Sequence, residues 1–345
     1  MNEDQWVRWS ACLNRILACA IVTAAALLSS GSARAGTVPW YDFNVVSLGN
    51  FSTGNDVEGT VFVGGNLSSQ NPTQIASNTS VTYPATQDTL QVVGNIASGS
   101  TVHMTQGSLV YGGSIAGTTI TYNGGGSGSQ NLSQLQMEAS SLKSQLTSVS
   151  SAYSALATTG STLSQPGPSD QPAHAVFTAV AGANGVAVFD INASFFSNTK
   201  IQAIDLDYSG GTPVTSIVIN VSGSGAINTS GTTLNFEGNW LNNSVEATTI
   251  WNFAPTITSV TLSDAFSGAI LAPDASVTTG NTQVDGSIFA ASIVANGEIH
   301  IPYFDGFIPS TAVPEPSSIA MSSFWLVGAA ILAARRRAGR IRRGR

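Results

Sequence analysis

Two distant stretches of this chain read almost alike. Val57-Glu58-Gly59-Thr60-Val61-Phe62 and Val284-Asp285-Gly286-Ser287-Ile288-Phe289 agree in kind at all six positions. Weaker copies occur at Leu90–Ser98, Ser108–Gly117 and Phe266–Ser276, with 19 residues from Gly94 to Gly113 and 18 from Gly268 to Gly286. A short apolar strand followed by a Gly, Asn or Ser corner, recurring at this period, cannot bury its apolar face within one repeat. It must stack on its neighbours. The pattern predicts a mainly β chain forming a right-handed β-helix, or β-solenoid. A β-sandwich, which also shows many short strands between turn residues, stays open as the alternative.

One segment breaks the strand pattern. Leu132, Leu135, Ala139, Leu142, Leu146, Val149, Tyr153 and Leu156 recur at spacings of three and four, which predicts a helix over about 131–157 with one apolar stripe. Asn131 and Gln134 fit an N-terminal capping box. Gly/Ser/Pro-rich stretches at 123–130 and 159–172 are expected to be flexible linkers. At ~1.5 Å per residue such a helix spans roughly 39 Å, enough to lie along several coils. Its stripe is expected on the solenoid flank, with Leu142 and Leu146 buried and Lys143 and Gln145 facing water. A coiled coil with another chain is the alternative.

Charge divides the chain into three parts. The first thirty-five residues carry Arg8, Arg15 and Arg34 around the apolar run 16–30 and end in Ala33-Arg34-Ala35, the form of a secretory signal peptide cut after Ala35. Both cysteines, Cys12 and Cys19, fall in that segment, so the body over 36–312 is expected to lack disulfides and cysteine metal sites. From Gly36 to Pro316, 17 acidic residues face only Lys143 and Lys200, a formal charge of −15. Phosphate backbones require clustered Lys and Arg, so nucleic acid is excluded as a partner. The remaining cations lie at the other end. Ser317 to Ala334 is eighteen residues without a charge, near the lower limit for a spanning helix, and Arg335, Arg336 and Arg337 begin an arginine-rich tail that would stay cytoplasmic.

Chemistry has few candidates. There is no nucleophile elbow, zinc-protease helix or phosphate loop, and the imidazoles are His103, His174 and His300. Glu298 and His300 are two apart on a strand and so share a face. They could work as acid and base, hold a metal, or simply close the last coil with a hydrogen bond, the reading favoured here. Asp205 and Asp207 also share a face, and paired carboxylates are what glycoside hydrolysis uses. Asp56 with Glu58, and Asp274 with Asp285 on what would be adjoining coils, offer hard oxygen ligands that would suit calcium, although the acidic spacing of a helix-loop-helix calcium site is missing. No catalytic, cofactor-binding or metal residue is assigned from these groups. Threonines at 118–121, 256–261 and 278–279 suggest an ice- or crystal-binding face, at irregular spacing.

Two resemblances to known families add to this. Val313-Pro314-Glu315-Pro316, an apolar stretch and an arginine cluster over 313–345 resemble the PEP-CTERM sorting signal of Gram-negative bacteria. That resemblance implies an exosortase as partner, with the precursor held transiently in the inner membrane. The segments YDFNVVSLGNFSTGNDVEGTVFVGGNLS, VTSIVINVSGSG, IWNFAPTITSVTLSDAFSGAILAPDASV and VDGSIFAASIVANGEIHIPYFDG resemble the choice-of-anchor A domain over about 41–306. The order of coils, long helix and further coils is similar to the ice-binding-like adhesin fold. Together they imply a secreted or cell-surface, non-enzymatic adhesion protein without cofactors, partnered by extracellular polysaccharide or a matrix protein. A carbohydrate-active enzyme using Asp205, Asp207, Glu298 or His300 is the runner-up.

Overall fold

Parallel pairing dominates the computed structural model, which describes residues 38–310; the expected leader over 1–35 and sorting tail over 313–345 lie outside the described residues. The longest ladder runs, in spatial order, through Gly128–Gln130, Ser108–Tyr111, Asp88–Val92, Val61–Val63, Val45–Ser47, Ile288–Ala295, Ala269–Thr278, Thr249–Phe253, Ser216–Ser222 and Val186–Asn192. The chain thus enters mid-ladder at Val45–Ser47 and builds outward to Gly128–Gln130. It resumes at the opposite end with Val186–Asn192 and builds back until Ile288 pairs with Val45. The two similar motifs fall in one column, as their likeness predicts. Val45 is paired on one side with Val61 and on the other with Ile288.

Two further ladders use the same turns of chain. The second runs through Gly225–Asn228, Ile257–Thr261, the distal halves of Ala269–Thr278 and Ile288–Ala295, then Phe51–Thr53 and Leu67–Ser69. The third joins Phe266–Ser267, Val284–Asp285 and Ile299–His300, and continues through Val57 to Thr73–Ile75, Thr101–Met104 and Thr119–Tyr122. A β-sandwich needs antiparallel sheets. Among the described residues the one antiparallel pair of strands is Thr162–Ser164 with Ala173–Val180.

Burial follows from what covers each ladder. Side chains alternate across a strand, so a ladder covered on one side alternates apolar and polar, while one covered on both reads as continuous apolar. Val45, Val61, Leu90, Ile219, Trp251, Ile270 and Ile288 point into the main core. Their neighbours Val46, Phe62, Val218, Ile250, Leu271 and Phe289 are equally buried because that side is covered by the long helix and, over Phe62 and Phe289, by Phe43 and Trp40. The second and third ladders lack the helix and mostly alternate; Phe266–Ser267 is buried on both sides because Trp240 covers Ser267.

The helix runs from Leu132 to Ser154, inside the expected 131–157. Asn131 Oδ1 accepts the Gln134 N–H at 3.2 Å and its Nδ2 donates to Gln134 Oε1 at 2.8 Å. Its 23 residues give roughly 34 Å at ~1.5 Å each, which matches the seven ~4.8 Å steps from Ser108–Tyr111 to Ser216–Ser222. Leu135, Leu142, Leu146, Val149 and Tyr153 are buried, Ala139 and Leu156 half-buried, and Leu132 exposed. The far half is locked by amides: Asn252 Nδ2 donates to the Ser150 carbonyl at 3.0 Å and to Asn220 Oδ1 at 2.9 Å, and Asn220 Nδ2 donates to the Tyr153 carbonyl at 3.0 Å.

Three expectations need correction. Gln145 does not simply face water: it is half-buried and its Oε1 accepts the Trp40 N–H at 3.3 Å, because the chain just before the first strand passes over the helix. The stretches 123–130 and 159–172 are not plain linkers. Gly128–Gln130 pairs with Ser108–Tyr111, and Thr162–Ser164 with Ala173–Val180, since backbone pairing at a ladder edge needs no apolar side chain. Asp274 and Asp285 do not meet. Asp274 lies at the bend of Ala269–Thr278, between the first two ladders, while Asp285 belongs to the third.

Leu142→Asp should lower stability by about 3 kcal/mol or more, losing a buried side chain and burying a charge. Exposed Lys143→Asp should stay within about 0.5 kcal/mol of the parent. Urea denaturation of both variants checks this, and equal effects would show that the helix does not pack through Leu142.

Candidate functional site

The third ladder gathers the acidic candidates. Val57, Ile299 and Val284 point inward in register, so the residues before and after each of them point outward. This places Asp56, Glu58, Glu298, His300 and Asp285 on one surface. His300 sits between two carboxylates, with Nδ1 2.9 Å from Asp285 Oδ1 and Nε2 3.0 Å from Glu298 Oε2. An imidazole can satisfy both only as the doubly donating cation. Burial pushes the His300 pKa down, but the bonds to Glu298 and Asp285 outweigh it and the net shift is upward.

The surrounding carboxylates are also occupied. Glu58 Oε2 accepts the Ile301 N–H and the Asn78 amide, each at 3.0 Å, and Asp56 accepts the Gln74 N–H at 2.9 Å and its side-chain amide at 2.8 Å. The pairing of Glu298 with His300 agrees with the two-residue spacing. Asp285, the second partner, arrives through strand register. With both ring nitrogens engaged, His300 ties the last strand to its neighbours rather than presenting a free base.

Sequence reasoning missed Glu246. It projects from the short helix Asn243–Thr248 and is buried, and its pKa rises to about 7, chiefly through burial, with Asp285 adding and His300 opposing. Its apolar spacing is unremarkable, and nothing local signals its surroundings. Beside this cluster lies a groove of about 430 Å³ bordered by Asn235, Phe236, Leu241, Asp264, Phe266 and Asp285. Asp264 is held there by the Leu234 N–H at 3.1 Å.

A second ionisable group forms around Asp205. His174 Nδ1 lies 2.7 Å from Asp205 Oδ2, and this hydrogen bond raises the His174 pKa. Phe236 bridges to Ile204, setting Glu237 beside Asp205. Asp207 shares the face, as its spacing implies, but is exposed. His103 bonds to the Thr121 hydroxyl on the neighbouring strand.

The second ladder has a different surface. Ser259, Ser276 and Ser292 are aligned in register and the column continues into Asn50, Asn66 and Asn95, whose strands follow in the same ladder. Beside it runs a column of Asn228, Thr261, Thr278, Val294, Ser52 and Ser68. Neither column holds a charge. Of the threonines noted in the sequence, Thr261 and Thr278 are paired here, whereas Thr279 is buried and Thr119 and Thr121 belong to the third ladder.

A family model described as "Putative Ice-binding-like adhesive domain" matches residues 38–301. No curated protein and no solved structure matches. Among the described residues no helix is long and apolar enough to cross a membrane; the apolar stretch 317–334 lies outside them.

The shifted groups make a joint prediction. Asp42, Asp88, Glu138, Glu246 and His300 all have raised pKa values. A group whose folded pKa exceeds its unfolded value stabilises the fold below the unfolded pKa and loses that contribution as pH rises through the folded one. Stability should therefore fall from about pH 5 to pH 8. Glu246 alone, rising from 4.5 to about 7, accounts for as much as about 3 kcal/mol. Glu246→Gln should flatten the profile and be more stable than the parent at pH 8, as measured by urea denaturation across that range.

Proposed function

We propose that this chain, which belongs to the ice-binding-like adhesive domain family, is an exported, non-enzymatic adhesion protein whose working surface is its second ladder. The observation that carries this reading is the chemistry of that surface. On a body of charge −15, two adjacent columns of Ser, Thr, Asn and one exposed Val run in strand register without a charged side chain. Charged side chains would have to be desolvated against a partner, which is costly unless each is paired. Small hydroxyls and amides offer hydrogen bonds and lose little rotamer entropy. We read the three ladders as faces of one right-handed β-helix, which would hold these groups at the ~4.8 Å rung spacing. An extended, repetitive partner such as an extracellular polysaccharide or fibrous matrix protein suits such a surface.

The reading is tested by adsorption to insoluble polysaccharide. Ser292→Tyr, a bulky group at the centre of the face, should weaken adsorption about tenfold or more, while Thr121→Tyr on the third ladder should not. The irregular Thr column, broken by Val294, fits a crystalline lattice less well. Retention in growing ice, lost in Ser292→Tyr, would replace the polysaccharide with that partner.

Export and release belong to the same proposal. Proline fixes φ and disfavours helix in the residue before it, so Pro314 and Pro316 would suit an enzyme that needs an extended peptide beside the apolar stretch 317–334. Arg335, Arg336 and Arg337 would orient the precursor in the inner membrane until an exosortase cuts near Pro314-Glu315-Pro316. Exported protein from the native host should then end near residues 314–318 by mass spectrometry. Recovery of Arg335–Arg345 on that exported protein would refute the sorting step.

A further inference from the structure

We propose that His174, Asp205 and Glu237 form a binding site for a divalent transition metal ion such as Zn2+. The three side chains come from separate segments, the strands Ala173–Val180 and Ile201–Ser209 and the stretch leading into Gly238–Leu241. One donor atom from each lies within 4.8 Å of the others, and among the described residues no other three His, Cys, Asp or Glu side chains converge in this way. In the His300 cluster the two carboxylates lie on different nitrogens of one ring, so they cannot share an ion with it.

The local backbone aims these groups. Ala173 pairs with Ile201 but Ala175 with Ile204, so Gln202 and Ala203 together oppose His174 and the strand Ile201–Ser209 is bulged just before Asp205. Such bulges bend a strand and redirect a side chain. Each ligand is flanked by buried anchors: Ala175 for His174, Ile204 and Leu206 for Asp205, and Phe236 for Glu237. Phe236 is packed in turn on Trp240 and Trp251, with ring centroids at 5.6 and 6.0 Å. Asn235 Nδ2 donates to Glu237 Oε1 at 2.5 Å, fixing that carboxylate as partners outside a metal's first coordination sphere do.

The donor set selects the class of ion. Two carboxylates balance a dication, and an imidazole nitrogen favours zinc, cobalt or nickel over calcium and magnesium, which take oxygen. Three protein ligands would leave a position for water. Coordination requires the His174 and Asp205 atoms, now 2.7 Å apart, to part by under about 1 Å, and His174 is exposed and free to swing.

The test uses the full chain, stripped by a chelator and titrated with ZnCl2 by calorimetry, with Co2+ as a spectroscopic substitute. One equivalent should bind, and Co2+ should show the intense visible bands of a four-coordinate site. His174→Ala, Asp205→Asn and Glu237→Gln should each weaken binding about tenfold or more. Asp207→Asn and His300→Ala should leave it unchanged. His174 is exposed, so His174→Ala should keep the parent's melting temperature in chelator and lose only the rise that Zn2+ gives the parent. Absence of saturable binding, or an equivalent that survives His174→Ala, would overturn the site.

Discussion

Successive turns of the first half are tied together at one corner by a single oxygen. Asn50 Oδ1 accepts the N–H of Asn66 at 2.9 Å, Asn66 Oδ1 that of Asn95 at 2.8 Å, and Asn95 Oδ1 that of Ser114 at 2.7 Å. The corner has no strand partner for these exposed amides, so without the carboxamide only water would take them and the tie between neighbouring segments would be lost. The arrangement demands glycine at the preceding position. A Cβ on Gly65 would stand 2.5 Å from Asn50 Oδ1, and one on Gly94 2.5 Å from Asn66 Oδ1. This is why Gly-Asn and Gly-Gly recur through the sequence. It also fixes register, because a slip of one residue would unpair the amides and turn every apolar side chain outward.

That constraint explains which parts of the fold were legible. Motifs that repeat in sequence occupy equivalent corners, so their stacking could be read from the chain. What could not be read is that Val45–Ser47 enters between the two most similar motifs. Val45–Ser47 pairs with Ile288–Ala295 although the two are more than 240 residues apart in the chain, and nothing in the composition of Val45-Val46-Ser47 marks that closure. The helix was legible because its stripe is a local property. Gln145 was not, since its partner Trp40 lies 105 residues away. Gly128–Gln130 was missed for the opposite reason: its Gly and Ser content signals a linker, but its pairing is made entirely by backbone.

The site divides along the same line. Glu298 and His300 share a face by a two-residue alternation visible in the sequence. Asp285 joins them only because Val284 and Ile299 are adjacent in the ladder. His174 and Asp205 are 31 residues apart and come together because Val176, on the same face as His174, pairs with Asp205, which no periodicity encodes. Glu246 was hidden more deeply still. Its burial depends on the short helix Asn243–Thr248 packing on Ser216–Ser222 and Ala269–Thr278, and its raised pKa follows chiefly from that burial, with Asp285 adding and His300 opposing.

Charge placement connects these observations to adhesion. A body with 17 carboxylic acids and two lysines repels itself, and its folded state can spread that charge only over surfaces that stay wet. The first ladder is covered by the helix, where Glu138 already shows the cost: burial and Asp88 raise its pKa, and only a hydrogen bond with Gln91 opposes them. The third ladder carries Asp56, Glu58, Asp285 and Glu298, and the separate sheet of Ala173–Val180 and Ile201–Ser209 carries Asp205 with Glu237 bridged to it, each with a donor or a histidine beside it. The two outward columns of the second ladder are left uncharged, with Asp274 at the bend beside them. A surface that must be dehydrated repeatedly against a partner gains from this segregation, because only uncharged groups lose water there. The only three-ligand convergence among the described residues lies on strands outside the proposed adhesive face, so metal binding and adsorption would be separable properties of one body.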